Sequence, residues 1–164
     1  MPYRSWLERR SKPRTYVGQW LRAMCLRQRE LRIELQATLN GGKPGWNDDE
    51  PAVVEFASQI VLRQLFGNEY EAGEITNFVN NLQAATEGDP PVDQLNAEML
   101  IRDALGEAKI DVKGISPGQR FLVRALMAAT GAYLLDLNEA AVDEIISDSE
   151  RNAFEHGCKP PIAR

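Results

Sequence analysis

The chain has 164 residues, 43% of them hydrophobic and 26% charged, with a net charge of −5. That length suits one domain with its own core and is thin for two, and the balance excludes a disordered or fibrous chain. Two cysteines, Cys25 and Cys158, have no motif spacing, and no apolar leader follows Met1, so a cytoplasmic protein with reduced thiols is expected.

Charge is sorted along the chain. Residues 1–32 hold nine Arg or Lys against Glu8 and Glu30, whereas Arg63 to Arg102 enclose seven acids and no base. The first part, residues 1–14, carries Trp6, Leu7 and five basic residues without a period that would bury a face, and reads as a basic arm. A helical domain over residues 15–157 and a short tail over 158–164 follow.

From Thr15, residues Leu21, Met24, Gln28, Leu31 and Leu35 fall on a heptad seam, while Leu26 and Ile33 lie on another face. One long, two-sided helix is predicted, ending near Asn40 where Gly41, Gly42, Pro44 and Gly45 crowd together. Acids before Pro51 open the next helix, with Val53, Val54, Ala57, Ile60, Val61 and Leu65 on its apolar face up to Gly67. Asn68 and Glu71 have capping-box spacing ahead of the stripe Ile75, Phe78, Val79 and Leu82. Asp93 caps a further helix that stops at Gly106, and Lys109 to Ile115 is an extended connector.

Ser116, Pro117 and Gln119 then spell a helix start. From Phe121 to Leu135 only Arg124, Thr130 and Gly131 are not plainly apolar, so this helix must be wrapped by others. The run is too short, and has an arginine inside it, for a membrane span of about 20 apolar residues. Asn138 caps the last helix, which Gly157 ends. The tight Asp136 to Asn138 link suggests an antiparallel hairpin that sets Arg124 beside Glu150. The fold class is therefore all-α, a single-domain bundle of five to six helices around the central helix Pro117 to Leu135.

Chemistry finds little to hold. His156 is the sole histidine, and Cys158 lies two residues away in a Pro-rich tail that is a poor place to fix a nucleophile and its base. No acid cluster has calcium-loop spacing, and Asn40 to Gly45 lacks the phosphate-loop pattern, so no metal or cofactor is expected and an enzyme ranks third. The leading expectation is a non-catalytic interaction or regulatory protein, self-associating as a homodimer through the first long helix with Leu26 and Ile33 in the interface. The acidic segment could alternatively receive a basic partner protein. Nucleic-acid binding ranks second, because basic residues interleave with aromatics near the N-terminus. For either kind of partner Trp6, Arg9, Arg10, Trp20 and Arg22, in the arm and first helix, are the candidate contacts.

Overall fold

The computed structural model describes residues 12–39, 49–89 and 91–163. Seven α-helices are present among them: α1 (Tyr16–Cys25), α2 (Arg29–Leu39), α3 (Glu50–Phe66), α4 (Ala72–Thr86), α5 (Gln94–Ala104), α6 (Pro117–Leu134) and α7 (Glu139–Glu155). The all-α class holds, with one helix more than the five or six expected.

The extra helix comes from a break in the first one. Arg27 adopts a left-handed φ of 59°, its N–H bonds to the Met24 carbonyl, and the N–H of Gln28 reaches the Ala23 carbonyl at 2.8 Å. That double closure ends α1 as a glycine normally would, although an arginine pays roughly 1–2 kcal/mol for the conformation. The predicted long helix is thus two helices in contact with each other, and its heptad seam is interrupted at Leu26.

Three predicted caps form as read: Asp93 accepts from the Asn96 N–H, Ser116 from Gln119 and Asn138 from Ala141. One does not. Glu71 rather than Asn68 flanks α4, and the Glu74 carboxylate accepts from the Glu71 N–H at 2.9 Å. A carboxylate serves here because it meets both an orphan donor and the positive end of the helix.

The apolar side chains form two clusters. Val17, Trp20, Leu21, Val53, Val54, Phe121 and Ile146 belong to the first, and Leu62, Ile75, Phe78, Leu82, Leu100, Val123 and Met127 to the second. Only α3 and α6 supply buried residues to both. The expected wrapping of α6 is found over most of its length, where Phe121, Val123, Ala125, Met127 and Ala128 are buried and Leu122, Leu126 and Ala129 half-buried. Its last turn is not wrapped: Tyr133 is 59% exposed and Leu134 42%.

The predicted hairpin of the last two helices is not observed. α3 packs on both α6 and α7 and separates them, so it shares the central position. Arg124 accordingly faces Asp103 at 3.3 Å and Glu55 at 3.8 Å, from α5 and α3, rather than Glu150. Both α6 and α7 pack on α3 instead, and the link between them contains the left-handed Asp136 (φ 52°). The crossing of α3 and α6 is close. A Cβ on Gly131 would overlap Cγ1 of Val61, so glycine is required there by space.

Glu150 instead clasps the start of the chain. Its carboxylate, buried against α1, accepts from the N–H groups of Arg14 and Thr15 and from the Thr15 hydroxyl at 2.6 Å. The Thr15 oxygen in turn caps α1 through the Gly18 N–H. Beside it Thr15 pairs with Ile162 in an antiparallel bridge, with Tyr16 N–H donating to Pro161 and Ala163 N–H to Arg14. The tail after Gly157 is therefore laid along the entry to α1.

Two buried carboxylates make stability depend on pH. Burial pushes Glu50 above the ordinary glutamate value, and one of its oxygens has no hydrogen-bond partner among the described residues. Burial also raises Glu150, outweighing the opposing effect of the Thr15 and Arg14 hydrogen bonds. The folded state then holds protons that the unfolded chain releases near pH 4.3, so stability falls as pH rises through the interval above about 4.3. The urea midpoint is expected to drop between mildly acidic and mildly alkaline buffer. Glu50→Gln should flatten that slope, and an unchanged slope in the variant would reject the assignment.

Candidate interaction surface

Of the residues singled out from sequence, Trp6, Arg9 and Arg10 lie outside the described residues. Trp20 is in the core, 2% exposed, with its ring stacked on Phe121 at 5.3 Å between centroids. Arg22 is bound by Asp143 at 2.5 Å and by Glu139, both on α7, and the Asp143 hydrogen bond raises its pKa further. Both side chains hold α1 to the body, which corrects their reading as contacts offered to a partner. Of the other basic residues in this segment, Arg27 and Arg29 are exposed and Arg32 is half-buried. Arg22 also pairs with α7 and not with the acidic segment after Gln64, where Glu69, Glu71, Glu74, Glu87, Asp89 and Asp93 stay exposed.

Leu26 and Ile33 part company. Leu26 follows α1 and packs half-buried on the first cluster. Ile33 is 56% exposed on the outward side of α2, whose opposite side carries Leu35 and the buried Leu39 into the core. They cannot share one interface stripe, because the turn at Arg27 falls between them.

An open groove, which the sequence reading missed, lies between the start of α2 and the pair α4 and α6. It encloses about 490 Å³. Met24, Leu126 and Ala129 line its floor, Ala84 and Ala85 leave one side low, and the exposed Tyr133 and Leu134 form the rim. Arg27 and Arg32 enter from the α2 side. The Arg27 guanidinium lies over the Tyr133 ring, 3.9 Å from its centroid, a cation–π contact that orients the charge without neutralising it. Among the described residues neither arginine has a carboxylate partner. A second depression of about 280 Å³ continues the groove, sharing Asn81 and Leu134 and extending to Phe66 and Glu74. A larger recess, about 750 Å³, opens beside the Glu150 clasp at Lys12, where the described residues begin.

Groups that could do covalent chemistry are otherwise engaged. Burial pushes the Cys25 thiol up to about 12, too high for a thiolate nucleophile at neutral pH. His156 Nδ1 is 2.8 Å from the Asn152 carbonyl, which only accepts, so this nitrogen carries the proton; its ring lies 5.1 Å from Phe56. Among the described residues no group of three His, Cys, Asp or Glu side chains could hold a metal ion, and no helix is long and apolar enough to cross a membrane. No family model matches the chain, and neither a curated protein nor a solved structure matches it.

Proposed function

We propose that the chain is a non-catalytic helical interaction protein whose recognition face is the α2 side of the molecule. One observation carries the reading: unpaired guanidinium groups and exposed apolar side chains are gathered on this side, around a groove, with no nucleophile or base among them. Exposed apolar side chains rimmed by charge mark association surfaces more often than reaction centres. Reduced Cys25 and Cys158 suit work in the cytoplasm.

Self-association is one use of this face, and the outward Ile33 with Ala37 one turn along favours it. In sedimentation velocity the full chain is expected to form a dimer at tens of micromolar, with Ile33→Asp shifting it to monomer while helical content stays constant. A wild-type chain that remains monomeric there removes self-association. Binding of Arg27- and Arg32-dependent partners would be unaffected by that result.

A further inference from the structure

The groove has a direction and a sign, and together they specify an occupant. Its wall along α4 is built from Glu74, Asn77, Phe78, Asn81, Ala84 and Ala85, one face of that helix from its first turn to its last. Eleven steps of 1.5 Å from Glu74 to Ala85 give a trough of about 16 Å, long enough for three turns of a second helix and longer than a compact ligand needs. Ala84, Ala85 and Ala129 carry only a methyl group each and leave room for a partner's apolar side chains.

Charge is uneven along this trough. Arg27 and Arg32 line the groove together with Ala84, Ala85 and Tyr133, and Glu74 lies in the depression that continues it past Leu134. The α6 C-terminus beside Arg27 supplies about half a negative charge, so the two full positive charges leave a surplus of about one and a half units. That terminus has no basic residue of its own in the last turn, and among the described residues neither arginine is paired with a carboxylate. The surplus is unsatisfied beside an apolar floor, where it favours an anionic group attached to an apolar body.

We propose that the trough along α4 receives an amphipathic helix of a partner protein, its apolar face on Met24, Leu126 and Leu134 and its acidic end at Arg27 and Arg32. This rests on the interaction reading but not on self-association.

The test is a display library of random 12-residue peptides selected against the full chain. A counter-target carries Arg27→Asn and Arg32→Gln, since asparagine tolerates the left-handed conformation at position 27. Both targets carry Ile33→Asp, so that dimer formation does not enter. Enriched peptides are expected to combine leucine-like residues at helical spacing with two or more carboxylates near one end. Their affinity should fall at least tenfold on the counter-target, and amide shifts on binding should concentrate in α4, the last turns of α6 and Arg27 to Arg32. Decanoate should not displace them. Enrichment of basic or uncharged peptides, equal binding to both targets, shifts elsewhere, or displacement by decanoate at comparable affinity would each overturn the assignment. The last would make the trough a site for a small amphiphilic carboxylate. A wild-type dimer that protects the trough, where the Ile33→Asp chain leaves it open, would assign it to a second copy and also overturn it.

Discussion

Gly131→Leu is expected to destabilise the fold by about 3 kcal/mol or more, a large part of the stability a domain of this size has. The position sits where α6 crosses α3, and the first side-chain atom alone would overlap Cγ1 of Val61. Val61 is buried and β-branched, so it has one comfortable rotamer in a helix and cannot swing aside. Gly131→Ala should cost less, because alanine recovers up to about 1 kcal/mol of helix propensity. Val61→Ala opens the missing space, so the double variant Val61→Ala with Gly131→Ala should be more stable than the two single losses sum to. Urea unfolding of the four proteins gives the coupling directly. Additivity, or a Gly131→Ala chain more stable than wild type, would mean the helices do not cross as closely as described.

The second large effect is at the clasp. Glu150→Ala leaves the N–H groups of Arg14 and Thr15 and the Thr15 hydroxyl without their acceptor. Each orphaned buried donor costs about 1–3 kcal/mol, though the loss is softened because a buried carboxylate no longer has to be desolvated. A net loss of about 2–4 kcal/mol follows. The damage should also be local before it is global. Amide exchange at Tyr16 and Ala163, whose N–H groups donate to Pro161 and Arg14, should speed up well below the unfolding midpoint, while Leu100 and Met127 in the second cluster keep their protection. Uniform loss of protection across both clusters would show instead that the clasp is not a separable unit.

What could be read from the sequence follows from what local chemistry encodes. Ser116, Asp93 and Asn138 act within three residues of themselves, so their caps were legible, as were Gly67, Gly106 and Gly157 at helix ends. Arg27 was not, because nothing in an arginine announces a left-handed φ; the conformation is held by the tertiary contacts of α1 and α2 on either side. The intrusion of α3 between α6 and α7 was hidden for the same reason. A short link argues for neighbours, but the apolar faces that decide the matter lie more than fifty residues apart.

The candidate surface was less legible than the fold. Trp20 and Arg22 have the composition of a contact surface, and a single helix does not say which of its sides turns inward. The groove is assembled from α1, α4 and α6 and the Arg27 turn, and no segment of it is distinctive alone. Its one sequence trace was the surplus of arginines in the first 32 residues, two of which proved to be the unpaired pair.

The meeting of residues 14–16 with residues 161–163 has an engineering consequence. Because the two segments run side by side, a linker of a few residues could join position 163 to position 14 and make the chain circular in connectivity. New ends could then be cut between Lys113 and Gly114, both exposed in the connector before α6. In such a permutant, which lacks residues 1–13, α6 and α7 would be synthesised first and α1 would follow them directly, so the order in which the helices emerge could be changed while all seven helices are kept.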